Sequence, residues 1–245
     1  MLYTVKHFKT LSSTQDKAKE FAKKQAHLKS EFVVIVADNQ TKGRGRFRRK
    51  WHSSPKGLWF SMLFCPKSAD KMQYLTLIAS IAAAKTVKKI AGIEVKIKWP
   101  NDLHYNGKKI CGILTETILG KENSVIIGIG INLNQKSFPN AIKQTSTSLK
   151  QLTKKIYKKE AFLNAIILEF ISIYDNYYSK GKFKEIIQEW KLYSDTIGRD
   201  VRIVHGNKEM KGRAIGIDSE CRLMVKNKRG RISRIIEGDI FVRYR

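Results

Sequence analysis

Between Gln40 and Trp51 the chain reads Gln-Thr-Lys-Gly-Arg-Gly-Arg-Phe-Arg-Arg-Lys-Trp, and six of the nine residues from Lys42 to Lys50 are cationic. Gly43 and Gly45 are interleaved among them. Glycine lets backbone N–H groups turn toward an anion at little steric cost, and arginine adds a planar fork of donors that matches phosphate and carboxylate oxygens. Taken alone, the stretch reads equally well as an RNA-contact segment or a solvated loop. Further along come Lys-Trp-Pro-Asn-Asp-Leu (Lys98 to Leu103), Gly-Lys-Lys-Ile-Cys-Gly-Ile-Leu-Thr-Glu (Gly107 to Glu116) and Gly-Ile-Gly-Ile-Asn-Leu-Asn (Gly128 to Asn134). Asn101 and Asp102 follow Pro100 at a strand end, where a fixed turn aims side chains into a cleft. Asp102 is a candidate for orienting Lys109 or holding Mg²⁺ near phosphates, although an Asx-type turn accounts for it as well. Gly128-x-Gly130 resembles a dinucleotide fingerprint only superficially, since no helix pattern follows it.

These residues need a scaffold, and the hydrophobic pattern supplies one. Alternation predicts a strand from Tyr3 to Phe8. Ser13 or Thr14 can cap a helix with Ala18, Phe21, Ala22 and Leu28 on one side. Buried strands follow at Phe32 to Ala37 and Leu58 to Phe64, on either side of the basic loop. Leu75 to Ile90 has helical spacing, with Gly92 as its stop. Val95 to Trp99 is a short strand, and Asn106-Gly107 joins Leu103–Tyr105 to a strand from Ile110 to Ile118 as a hairpin. Val125 to Leu133 is the next strand, and helices from Glu160 to Tyr178 and Phe183 to Tyr193 close a first domain. Five short β runs then begin at Val201, Glu209, Arg222, Ile232 and Ile240, the last reaching Tyr244, which suggests a small β-barrel.

Composition narrows the class. A chain of 245 residues holds one large domain plus a small one. It lacks a long apolar run and a signal-peptide core. Cys65, Cys111 and Cys221 share no metal-ligand spacing and read as reduced packing residues, which points to the cytoplasm. The net charge is +27, with 13 Lys+Arg against 6 Asp+Glu from Thr196 onward and 35 against 15 before it. Neither part is the basic one, so a lysine-rich solvated surface explains the charge better than a dedicated nucleic-acid module.

In order and spacing, Gly-Arg-Gly-Arg, Lys-Trp-Pro-Asn-Asp and Lys-x-Cys-Gly-Ile-Leu together resemble the biotin protein ligases, and the resemblance covers nearly the whole chain. It implies an α+β fold: a mixed-sheet catalytic domain of the biotin/lipoate ligase, class II synthetase-like type at residues 1–195, and an SH3-like barrel at 196–245. It further implies activation of biotin by ATP and Mg²⁺ to an acyl-adenylate, then transfer to a lysine of the biotin carboxyl carrier domain of acetyl-CoA carboxylase. By resemblance Lys109, Arg46 and Asp102 are catalytic. Ser13, Thr14, Gln40, Gly43, Arg44, Lys109 and Gly112 bind biotin, with the first three at its ureido ring. Arg46, Arg49, Trp51, Asn101, Lys109 and Asn132 meet ATP or the adenylate. Phe47 and Arg48 stand where the family often has another Arg and a Gly, which bears on the loop's flexibility and leaves its charge intact. A strand beginning at Tyr3 leaves no room for the DNA-binding domain of bifunctional relatives, so specific DNA binding is not expected; with no long apolar run neither is a membrane span, and a homodimer is allowed. The rivals are lipoate or octanoate transfer on the same fold and a basic nucleic-acid-binding protein.

Overall fold

The computed structural model describes residues 2–24, 31–66, 71–119, 123–206 and 208–242. Leu28 and Tyr244, expected on a helix and a strand, lie outside them. The chain opens with β1 (Leu2–Leu11), α1 (Thr14–Lys24) and β2 (Glu31–Gln40), and β1 runs parallel to β2. β3 (Leu58–Phe64), α2 (Gln73–Ala91), β4 (Lys96–Lys98), β5 (Asp102–Tyr105), β6 (Lys108–Ile118) and β7 (Ser124–Ile131) follow. They form one mixed seven-stranded sheet in the order β1-β2-β3-β7-β6-β5-β4, antiparallel at every pairing except β1–β2.

Central β3 is buried at every position, which is why Leu-Trp-Phe-Ser-Met-Leu-Phe shows no alternation. The alanine-rich α2 is sandwiched between the sheet and two later helices, and Ala79, Ala82 and Ala83 let it approach closely. It stops at Gly92, whose φ of 71° lets its N–H reach the Lys88 carbonyl at 3.0 Å. α1 covers the other face, packing Ala18 on Val33, Ile35 and Leu63. The sequence pattern gives no element between β7 and the closing helices, yet α3 (Asn140–Lys143) and α4 (Leu149–Thr153) are there. α4 forms because Ser148 and Gln151 make a capping box, an S-x-x-Q spacing that was readable. α5 (Lys159–Asn176) and α6 (Phe183–Tyr193) then pack on α2.

The C-terminal domain is SH3-like: β8 (Asp200–His205), β9 (Lys208–Ile217), β10 (Leu223–Lys226), β11 (Ile232–Ile235) and β12 (Asp239–Val242), all antiparallel, in the order β11-β10-β9-β8-β12. Among the described residues this sheet does not close into the expected barrel, and β11 and β12 are its edges. Its inner residues Val201, Ile203, Leu223 and Ile240 join the main core. Trp99 Nε1 donates to the Cys221 carbonyl at 3.0 Å, and the Tyr74 hydroxyl to that of Ser219 at 2.7 Å. All three cysteines are free, and burial pushes the Cys111 and Cys221 thiols up, so they stay protonated packing groups. Among the described residues no helix is long and apolar enough to cross a membrane.

Candidate active site

A cavity of ≈ 1030 Å³ lies between the basic loop, the β6–β7 face and β12, with Gln40, Arg46, Trp51, Asp102, Lys109 and Asp239 on its walls. Its floor is made of glycines. Gly112 and Gly130 face each other across β6 and β7, and the Trp51 indole lies on both. A Cβ at Gly130 would stand 2.6 Å from Trp51 Nε1, and one at Gly112 would stand 2.9 Å from its Cζ3. Gly128, two residues before Gly130 and so on the same face, makes room for Gln15. The Gly-x-Gly therefore clears a floor instead of binding a dinucleotide. Gly130→Ala is expected to push the indole aside and cost ~1–3 kcal/mol of stability, the usual range for overpacking. An unchanged urea midpoint would show that the indole has room to move.

Lys109 Nζ is 2.6 Å from Asp102 Oδ1 and 5.0 Å from the centre of the Trp51 ring. The β5–β6 hairpin aligns the two charges, because Asp102 pairs with Gly112 while a register shift brings Lys109 opposite His104. Burial by itself would raise the Asp102 pKa. The Lys109 ammonium, with the His104 ring 3.8 Å away on the other carboxylate oxygen, outweighs it and holds the carboxyl at about 2, against an ordinary 3.8. With the folded value below the unfolded one, the pair's contribution is complete above pH ~4 and is lost as the pH falls through ~2. The stability gap between parent and Asp102→Asn should therefore narrow over that window in denaturation series. A gap independent of pH would contradict the pairing.

The other cations come from the basic loop and from the end of β4. Arg46 Nη1 donates to Asn101 Oδ1 at 3.4 Å, and its guanidinium lies 4.8 Å from the Phe47 ring centre. Burial lowers its pKa, while Asp102, Glu237 and Asp239 pull the other way. Lys98 is a further cavity cation whose pKa burial lowers, with Asp102 opposing. Arg49 reaches over to the C-terminal domain and holds Asp239 through both guanidinium nitrogens, one at 2.7 Å. Phe47 and Arg48, at φ of 54° and 57°, both occupy the left-handed region, which costs roughly 1–2 kcal/mol per non-glycine residue. The family's glycine near this point would remove part of that strain.

The residues expected at the ureido ring come together. The Thr14 N–H and hydroxyl both donate to Gln40 Oε1, at 2.7 and 3.1 Å, and Gln40 Nε2 donates to Ser53 Oγ at 2.8 Å. Ser13 accepts from the Gln15 N–H at 3.2 Å, the capping role its position predicts. Gly43 is where a side chain would collide with Ser53 and the Trp51 carbonyl. Arg44 lines the cavity, but its guanidinium is paired with Glu116 at 2.8 Å and Asp16 at 3.1 Å. Asn132 also lines it, and its amide donates to the Thr147 carbonyl at 3.1 Å and the Lys109 carbonyl at 3.4 Å. In this structure Asn132 braces the strand that carries Lys109. Sequence reasoning missed Gln15, which is buried and bonds Ser61, Leu114 and Ile126. It also passed over Lys98, though that residue opens the Lys-Trp-Pro-Asn-Asp segment. Asp239 carries no local pattern that could have revealed it.

Residues 7–134 match the Biotin/lipoate A/B protein ligase family and residues 196–243 the Biotin protein ligase C terminal domain. The chain belongs to the biotin protein ligase family. It is 40% identical to the Bifunctional ligase/repressor BirA of Bacillus subtilis, across 94% of this chain and 71% of that one. The Biotin--[acetyl-CoA-carboxylase] ligase of Mycobacterium tuberculosis is 26% identical over 85% of this chain and 78% of its own. The biotin protein ligase from Aquifex aeolicus in complex with biotin and ATP superposes with a TM-score of 0.85 at 30% identity, covering 98% of both chains. As a member of this family the chain is a ligase.

Proposed function

We propose that this ligase activates biotin with ATP as biotinyl-5′-AMP and transfers the biotinyl group to one lysine of the carboxyl carrier domain of acetyl-CoA carboxylase. The observation that carries the proposal is the Lys109–Asp102 pair, 2.6 Å apart, in a cavity whose walls also hold Arg44, Arg46 and Arg49. In the first step a biotin carboxylate oxygen bonds the α-phosphorus, and the bond to the bridging oxygen breaks so that pyrophosphate leaves. Lys109 stabilises the charge gathering on carboxylate and α-phosphate oxygens, and Asp102 holds that ammonium in place. Arg46 and Arg49, with Asn101 against Arg46, meet the phosphates. Trp51 supplies the aromatic wall for adenine. Ser13, Thr14 and Gln40 receive the ureido ring, and Gly43 and Gly112 line the biotin side by letting Ser53 and the Trp51 indole pack closely on the backbone. In the second step the neutral amine of the acceptor lysine bonds the acyl carbon, and AMP departs with the former carboxylate oxygen.

Mg²⁺ accompanies ATP. Among the described residues no three His, Cys, Asp or Glu side chains converge, so the protein offers the ion little more than Asp102, and the phosphates hold the rest. Residues 1–195 hold the reactive groups, and 196–245 assist from across the cavity. The cytoplasm, where ATP and reduced thiols coexist, is its site of action, in keeping with three free cysteines. The test is incubation with biotin, Mg-ATP and the unbiotinylated carrier domain, read by avidin blot. One biotin on one carrier lysine, dependent on ATP, is expected; an unlabelled carrier would contradict the proposal.

A further inference from the structure

The C-terminal sheet turns one face to the core and the other to solvent, and the outer face is cationic. Strand register sets Phe241, Arg202 and Lys211 side by side across β12, β8 and β9. It sets Asp200, Arg213 and Lys226 in the next row, across β8, β9 and β10. Lys228 and Arg229, in the β10–β11 turn, extend this face, and together these residues line a second cavity of ≈ 1090 Å³. Six Lys or Arg border it against one acidic residue, Asp200. Phe241 lines this groove and the active-site cavity alike, so the two adjoin at that residue. The evenness of charge along the sequence concealed this: the two domains have similar charge densities, yet alternation on β9 turns Lys211, Arg213 and the half-exposed Ile215 to one side.

We propose that this face docks an acidic surface of the carrier protein and delivers the acceptor lysine past Phe241 into the chamber; the proposal rests on the ligase function above. Two physical points select an acidic protein. The acceptor lysine arrives as a cation at a cavity walled by arginines, and acidic neighbours around it offset that repulsion while steering the encounter. A single-stranded nucleic acid, the other polyanion, is held by bases stacked on free aromatic faces as well as by its phosphates. Here Phe241 is the one aromatic lining the groove among the described residues, and the Arg202 guanidinium lies 4.2 Å from its ring centre.

The test uses the full chain with Lys226→Glu and Lys228→Glu combined, two exposed residues outside the active-site cavity. With the unbiotinylated carrier domain as substrate at low salt, KM for the carrier should rise about tenfold or more, as expected for steering charges reversed in sign. Biotin-dependent pyrophosphate exchange should stay within about twofold of the parent, since adenylation does not involve the carrier. The neutral pair Lys226→Gln and Lys228→Gln should raise KM less, in the same direction, and added salt should weaken the parent more than either variant. Unchanged carrier KM with normal exchange overturns the docking proposal alone. So does a variant that keeps its carrier KM but loses retention of single-stranded RNA in filter binding. A parent that makes no adenylate would instead overturn the ligase function itself, and the docking role with it.

Discussion

Lys109→Ala is expected to lose biotin-dependent pyrophosphate exchange by roughly 10²–10³-fold while biotin binding, followed by calorimetry, largely survives; removing one preorganised donor to developing charge typically costs ~3 kcal/mol. The split follows from where the ammonium sits. Lys109 Nζ stands over the Trp51 ring and is steered by Asp102 at 2.6 Å, while Thr14 and Gln40 are bonded to each other and Gln40 to Ser53. In the proposed mechanism it meets the reacting carboxylate end, while Ser13, Thr14 and Gln40 take the ureido ring. Lys109→Arg should recover little, because a wide planar fork cannot take the point-charge position between Asp102 and the indole. Exchange within a few-fold of the parent in the alanine variant would remove Lys109 from the catalytic set.

The second large effect concerns retention of the intermediate. Arg46 sits in a loop closed by Gly45 N–H to the Arg49 carbonyl at 2.8 Å, and Arg49 in turn is held by Asp239. A charge-assisted bond from Arg46 to the adenylate phosphate would add ~1.5–3 kcal/mol to closure. Arg46→Gly deletes that bond and loosens the loop, so biotinyl-5′-AMP escapes and acylates exposed lysines without further help from the enzyme. With biotin, Mg-ATP and serum albumin, the variant should label albumin strongly on an avidin blot and the parent barely. A variant that makes adenylate yet labels albumin no more than the parent does would show that Arg46 has no retaining role.

Much of the scaffold was legible because its elements obey local periods. The buried strand at Leu58–Phe64 and the helix at Phe183–Tyr193 begin and end where their hydrophobic patterns do. Other boundaries moved by a few residues, as at β1, whose polar residues continue the ladder to Leu11. Two short helices escaped notice because four or five residues carry too little periodicity to register. At the site, the cationic loop with Arg46 and the turn at Asp102 stood out as residue types, while Lys109 and Trp51 were picked out by the family resemblance. Three things were not. The second partner of a charge was invisible: Arg44 turns to Glu116, and Arg49 to Asp239 on β12. The purpose of Gly128 and Gly130 depends on Gln15 and Trp51, which arrive from distant segments. The cationic outer face of the C-terminal sheet exists only once strand register is set.

In the proposed function everything turns on the Lys109–Asp102 cavity joining the biotin carboxylate to the α-phosphate of ATP. The most direct measurement is exchange of labelled pyrophosphate into ATP with no carrier protein present, using biotin, lipoate or octanoate as the acid. Exchange is expected to require biotin, to be negligible with lipoate and octanoate, and to collapse in Lys109→Ala. Exchange supported by lipoate or octanoate in place of biotin, or none with biotin, would contradict that function.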